Sequence, residues 1–409
     1  MDTPRTIGFE RSSQGDQSER NSQEKIGHAL HWLLLLTTVL VAFGLTMLYS
    51  ASYGQDGIAY FKKQLLWVGL GVGAAGVVVF IGYRKLASWS PFLMGGTFLM
   101  LLIAKFCFKS VKGGARWLRF GGVTIQPSEF AKIAIILFVA YYCSEHQRTF
   151  CRWRERYGLL PLVLPVAAVA GAILFGRDLG TTILVLTTAS LALFVAGMYL
   201  RYIVIPLGLF AGATALWVAF CDATRLARVT TFMHPDAADQ RAGKGYQLWN
   251  SLKAIGSGNW FGRGFMNSRM KAKYLPEAHT DFILSIIGEE LGFIGVVVVI
   301  LLYSLWGFFA LRIALNAGNR LGAIMGFALT CSISLQAAIN IAVVSGSIPT
   351  KGMPAPFISY GGSSIISSLL AVGLLVSIAV DTLDPGYAER IHEKLRRYLP
   401  RRGSSDGRD

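Results

Sequence analysis

The sequence predicts an all-α polytopic membrane protein of about ten transmembrane helices, with both termini cytoplasmic and one large extracytoplasmic loop between the seventh and eighth spans. Three observations carry this prediction. Of the 409 residues, 53% are hydrophobic and only 15% charged, and mean hydropathy is +0.49, too apolar for a soluble chain of this length. Apolar runs of about 18 residues or more recur, each able to cross roughly 30 Å of hydrocarbon as a helix, and strand-like alternation is absent. Basic residues gather in alternate short loops, the distribution that sets membrane orientation.

Residues 1–28 are polar, rich in Ser, Gln, Arg and Glu, and are expected to form a disordered cytoplasmic tail. Small residues (Ser50, Ala51, Ser52) follow the first apolar run at 32–49, as at a signal-peptide cleavage site. That run is longer than a signal core and its leader is long, so it reads as a retained first helix. Further spans follow at about 65–83, 91–108, 127–143, 158–175, 179–197, 202–220, 282–311, 321–345 and 363–380. They give a membrane domain over 29–380, with its large outer loop at 221–281, and a basic cytoplasmic tail at 381–409. Arg84 and Lys85, then Arg148, Arg152, Arg154 and Arg156, then Arg201, then Arg312 and Arg320 all fall on the side of the two tails. The net charge of +16 reads as orientation and attraction to anionic membrane lipid rather than as a nucleic-acid surface. Five scattered cysteines without a CxxC pair imply neither a disulfide framework nor a zinc site.

Some cations oppose the orientation rule. Lys109, Lys112, Arg116 and Arg119 lie in an outward loop, and the segment 221–281 holds Arg225, Arg228, Arg241, Lys244, Lys253, Arg263, Arg269, Lys271 and Lys273. They form either a solvated surface touching anionic lipid or an electropositive cavity for phosphate groups.

Five stretches carry chemistry. Tyr274-Leu275-Pro276-Glu277-Ala278-His279-Thr280-Asp281 sets two carboxylates and a histidine against the start of an apolar run. Asp281 there is either a cap for the helix that follows or a general base. Gly113-Gly114-Ala115-Arg116-Trp117 is a glycine-rich turn before Gln126-Pro127-Ser128-Glu129, a sequence suited to a first helical turn. Trp117 serves there as an interfacial anchor or as part of a site. Asp178 stands at the mouth of the sixth span, as a cap, a partner of Arg177 or a direct participant. Glu289 and Glu290 sit about two turns beyond Asp281, where buried charge needs a partner, and Lys132 is one candidate. In Ser347 to Ser364, three prolines and three glycines exclude a continuous helix. A folded or re-entrant loop is expected, whose amides and Lys351 would cradle an anion.

These residues together resemble the SEDS (FtsW/RodA/SpoVE) family of polytopic cell-wall enzymes. The resemblance runs through Gly-Ala-Arg-Trp-Leu, Gln-Pro-Ser-Glu-Phe-Ala-Lys, Asp-Leu-Gly-Thr-Thr, Gly245-Tyr246-Gln247, Glu-Ala-His-Thr-Asp-Phe, Gly-Glu-Glu-Leu-Gly and Phe-Ile-Ser-Tyr-Gly-Gly-Ser-Ser. Pro349-Thr350-Lys351-Gly352 looks more like the division-specific branch than the elongation-specific one, which more often reads Pro-Val-Thr-Gly. Arg177 stands where the family usually has proline, and Lys273 occupies a position that is acidic in some relatives.

The resemblance implies ten membrane helices and peptidoglycan glycosyltransferase activity on lipid II in the cytoplasmic membrane at the division septum. It also implies a class B penicillin-binding transpeptidase partner (FtsI-like) and other division proteins. The family's essential aspartate falls on Asp281, and its loop arginine and tryptophan on Arg116 and Trp117. An inverting transfer would use Asp281 to take the acceptor proton. Arg116, Arg269, Lys271 and Lys351 would hold the pyrophosphate, assisted by a divalent cation, Mg or Mn. Glu277, His279 and Ser363 would be further substrate contacts, and Lys132, Asp178, Glu289 and Glu290 a polar core. A lipid II flippase, an elongation-type glycosyltransferase and a non-catalytic scaffold are the alternatives.

Overall fold

The computed structural model describes residues 7–53, 57–108, 116–120, 123–152, 155–233, 245–271 and 274–391. The chain forms helices α1 (Ile7–Ser52), α2 (Gly57–Ile81), α3 (Tyr83–Ser88) and α4 (Ser90–Cys107), then a two-stranded hairpin of β1 (Leu118–Phe120) and β2 (Val123–Ile125). Helices α5 (Pro127–Glu145), α6 (Leu159–Phe175), α7 (Leu179–Val195), α8 (Arg201–Cys221), α9 (Ala223–Met233) and α10 (Tyr246–Ser257) follow. The chain continues with α11 (Ile283–Leu315), α12 (Arg320–Val344) and α13 (Gly362–Leu383). The protein is an all-α polytopic membrane protein: eight of these helices are long and apolar enough to cross a bilayer, and α6 and α7 are shorter apolar helices of 17 residues.

The N-terminal stretch departs from the expected disordered tail, because α1 is continuous from Ile7. No proline occurs between Pro4 and Pro91, and Glu, Gln, Arg and Lys all have good helix propensity, so nothing in the sequence stops the first apolar helix from extending back. The hairpin was not expected either. Leu118 pairs with Ile125, Arg119 with Thr124 and Phe120 with Val123 in an antiparallel register; Gly121 and Gly122, between the strands, lie outside the described residues.

The expected single span at 282–311 is a broken helix. Gly292, at φ 70° and ψ −166°, interrupts α11. The break frees backbone groups that a membrane interior cannot leave unpaired, and the segment 259–264 satisfies them. Arg263 and Gly264 amides donate to the carbonyls of Glu289 and Glu290, both at 3.0 Å, while Phe293 and Ile294 amides donate to the carbonyls of Asn259 and Trp260 at 2.8 and 3.2 Å. A side chain at position 292 would need a left-handed backbone and would meet the Gly262 nitrogen 2.3 Å away, so only glycine fits.

Between α12 and α13 the proline- and glycine-rich segment is irregular, as expected, and buried within the protein: Met353, Ala355, Phe357, Ile358 and Ser359 are all core residues. Side chains satisfy its carbonyls. Asn340 Nδ2 donates to Met353 O at 2.6 Å, Gln336 Nε2 to Pro354 O at 2.9 Å, and the Tyr303 hydroxyl to Pro356 O.

Candidate active site

Asp281 lies where the 274–281 segment meets this buried loop. The segment is pinned by Leu275 and Ala278, both buried, and by Asn250 Nδ2 donating to Tyr274 O at 3.2 Å. It is stitched to the loop by Tyr360 N donating to His279 O at 3.0 Å and Ser359 Oγ donating to Thr280 O at 2.7 Å. Asn340 Nδ2 also donates to Asp281 O at 2.9 Å, so one amide group holds the backbone of Asp281 and of Met353 together. The cap position of α11 is Phe282, one residue beyond Asp281. The Asp281 carboxylate faces Gly352, where an added Cβ would stand 2.6 Å from Oδ2.

The residue before Gly352 is Lys351, whose stem passes across the start of α7. A Cβ on Gly180 would stand 1.3 Å from Lys351 Cε, so the lysine reaches its position only because residue 180 has no side chain. Burial pulls the Lys351 ammonium down to about 8, against the raising influence of Asp178. Asp178 caps α7, accepting from Thr181 N at 3.2 Å and Thr181 Oγ1 at 3.0 Å, and also accepts from Gln126 Nε2 at 3.1 Å. It forms an ion pair with Arg116, 3.6 Å away. Among the described residues the buried Nε of Arg116 has no hydrogen-bond partner. Trp117 follows, half-buried. Asp281, Gly352, Lys351, Asp178 and Arg116 thus form a polar track with a carboxylate at one end and cations at the other.

Several expected contacts serve the scaffold. Lys271 is not open to a phosphate: its Nζ pairs with Glu290 at 3.1 Å and donates to Met266 O at 2.5 Å. Glu290, fully buried, also accepts from Ser50 Oγ at 2.7 Å and Ser268 N at 3.3 Å. Glu289 accepts from Ser268 Oγ, Arg269 N and Met270 N at 2.5, 3.0 and 3.3 Å. The two glutamates therefore fasten the 263–271 loop beside the Gly292 break, and Lys271 pairs with one of them, Glu290. Lys132 is not their partner either; it pairs with Glu129 at 2.8 Å and donates to Gln336 Oε1 at 2.6 Å. The reason is reach: Lys132 and Glu129 share one face of α5, three residues apart. Ser363 accepts from Gln126 N at 2.9 Å and so ties the hairpin loop to α13. The Glu277 carboxylate accepts from Thr280 Oγ1 at 2.8 Å, and His279 packs between Tyr60 and Tyr360, with ring centroids 4.8 and 5.8 Å away. The Arg269 side chain is exposed. Lys109, Lys112, Arg241, Lys244 and Lys273 lie outside the described residues.

Asn340, Gln336, Gly352 and Gly180 were missed in the sequence. The first two carried a signal: they are polar residues four apart in an otherwise apolar helix, hence on one face, and polar groups at membrane depth seldom stand idle. Among the described residues no three His, Cys, Asp or Glu side chains gather to hold a metal ion. A divalent cation at Asp281 would therefore take most of its ligands from phosphate oxygens and water, as Mg²⁺ commonly does.

The fold and the track define a class: polytopic helical membrane proteins with a carboxylate and cations converging on a buried re-entrant loop. Residues 29–383 match the FtsW/RodA/SpoVE family, described as a cell cycle protein, and the chain belongs to that family. It is 37% identical over 357 residues to the probable peptidoglycan glycosyltransferase FtsW of Geobacter sp. strain M18, covering 85% of this chain and 95% of that one. It is also 37% identical over 355 residues to stage V sporulation protein E of Bacillus subtilis strain 168, covering 85% and 96%. A chain from the solved structure "Structural coordination of polymerization and crosslinking by a peptidoglycan synthase complex" superposes with a TM-score of 0.71 at 28% identity, covering 86% of this chain and 98% of that one.

Proposed function

We propose that the protein is a peptidoglycan glycosyltransferase that polymerises lipid II into β-1,4 glycan strands at the outer face of the cytoplasmic membrane during division. The kinship with proteins named peptidoglycan glycosyltransferase supports the activity. The observation that carries the site is the Asp281 carboxylate facing Gly352, one residue from half-buried Lys351. The acceptor sugar's 4-hydroxyl attacks the donor's anomeric carbon and gives its proton to Asp281. The new C–O bond forms as the bond from that carbon to the pyrophosphate oxygen breaks, and its electron pair leaves on undecaprenyl pyrophosphate. That leaving group is already anionic, so Lys351 and Arg116 stabilise it by charge and need not donate a proton. Asp281 is the residue that would hold a divalent cation, which would supply Lewis-acid stabilisation of the leaving group's charge.

The 17-residue helices α6 and α7 extend about 25 Å, close to the hydrocarbon thickness, so both are assigned as spans alongside the eight longer helices. With ten spans and the basic loops read as inward, both termini are proposed to be cytoplasmic. A partner protein is supported by the structural kinship with a peptidoglycan synthase complex, and an FtsI-like class B transpeptidase is the partner assigned. The test is polymerisation of purified lipid II by the wild type and by Asp281→Asn, each with and without that transpeptidase, beside a lipid translocation assay in liposomes. Loss of polymer with retained lipid II binding is expected from the variant; full polymer yield would remove Asp281 from the mechanism, and translocation without polymerisation would replace the enzyme by a flippase.

A further inference from the structure

Helices α2 and α13 both start beside the candidate site: Gln64 Nε2 donates to Ser359 O at 3.3 Å, and Gly361 N donates to Gln64 Oε1 at 3.2 Å. They run together to the other end of the bundle. Twenty-two residues of α13 rise about 33 Å, which is roughly the bilayer's hydrocarbon thickness, so their far ends lie at the opposite membrane face. A cavity of about 360 Å³ opens there between the end of α2, the start of α3 and the segment following α13. Its size suits a small ligand or a headgroup.

The chemistry of its wall is mixed in a specific way. Val79, Ile81 and Val380 give it an apolar wall, and α2 is exposed and apolar at Val72, Val77 and Phe80. The outer rim carries two cations and two carboxylates. One of each is already matched: Arg84 pairs with Asp381 at 2.8 Å, and Asp381 also accepts from the Tyr83 hydroxyl at 3.1 Å. The other two, Lys85 and Glu389, line the same cavity with no ion pair to each other or to any other described residue. Lys85 lies only over the Trp89 ring, 5.4 Å from its centroid, the arrangement of a side chain held at a membrane interface.

We propose that this cavity binds a phospholipid headgroup of the phosphoethanolamine class, with its phosphate at Lys85 and its primary ammonium at Glu389. A purely anionic headgroup would find one open cation and one repelling carboxylate. A choline headgroup would bring a charge that cannot donate hydrogen bonds to Glu389. Only a headgroup that carries both a phosphate and N–H donors satisfies both open groups, while its acyl chains lie along the apolar face of α2. The inference is independent of the role of Asp281, since it concerns the other end of the bundle and is read by binding rather than by turnover.

The test is native mass spectrometry of the detergent-purified full chain with equimolar phosphatidylethanolamine, phosphatidylglycerol and phosphatidylcholine. The wild type is expected to retain phosphatidylethanolamine in preference to the other two. Lys85→Ala and Glu389→Gln should each lower that retention roughly threefold to fivefold, as expected for the loss of one partly exposed charge contact. Glu389→Gln should also raise phosphatidylglycerol relative to phosphatidylethanolamine. Both rim residues are exposed, so neither variant threatens folding. Equal retention of the three lipids by the wild type, a preference for phosphatidylglycerol, or wild-type retention in both rim variants would overturn the proposal.

Discussion

The carboxylate of Asp281 rests against the backbone of Gly352, so closely that a Cβ built on the glycine would stand 2.6 Å from Oδ2. Gly352→Ala must therefore push the carboxylate away from its position while leaving the surrounding core untouched. Because misplacing a reacting group by about 1 Å can cost up to about a hundredfold, kcat for lipid II polymerisation is expected to fall at least tenfold with little change in melting temperature. Wild-type kcat in that variant would show that the contact does not position the base.

Lys351 gives a pH signature. Its folded value of about 8 lies below the ordinary 10.5, so the cation is lost as pH rises through about 8. If the cation holds pyrophosphate, kcat/KM should decline above that pH, and Lys351→Arg should move the decline out of range. Stability should change in the opposite direction. Between about 8 and 10.5 the unfolded chain binds a proton that the folded chain has released, so unfolding free energy rises with pH across that window. Thermal unfolding of wild type and Lys351→Met over the same range checks the sign.

Asn340 donates to the carbonyls of both Asp281 and Met353, at 2.9 and 2.6 Å. Asn340→Asp keeps the shape and replaces both donors with a carboxylate that repels the two carbonyls. The expected result is a fall in kcat with KM nearly unchanged, because the residue positions Asp281 without touching substrate. A change confined to KM would contradict this.

Lys271 and Glu290 are a buried pair, with side-chain exposures of 11% and 0%. Removing one partner strands the other, which typically costs about 3–5 kcal/mol. Lys271→Met alone should therefore lower the detergent melting temperature markedly, and Lys271→Met with Glu290→Gln should recover much of the loss. If Lys271 were instead a phosphate contact, the single variant would lose activity at unchanged stability.

Much was written in the sequence by itself. The apolar runs dictate helices, because a backbone in hydrocarbon must satisfy its own hydrogen bonds. The ordered motifs pick out Asp281, Lys351, Arg116 and Asp178 as residues of one chemistry. The proline-rich stretch around 349–356 announces irregular backbone. What the sequence left open was pairing, because a charge does not record its partner. Lys132 turns to Glu129 on its own helix, Lys271 to Glu290 across a helix break, and Asp178 to Arg116 from a distant loop. Only packing in three dimensions decides such choices. A buried ion is stable only beside a partner within a few ångströms, and which groups come that close depends on a glycine break at 292, a missing side chain at 180 and the amide of Asn340 bridging two segments 72 residues apart, Asp281 and Met353.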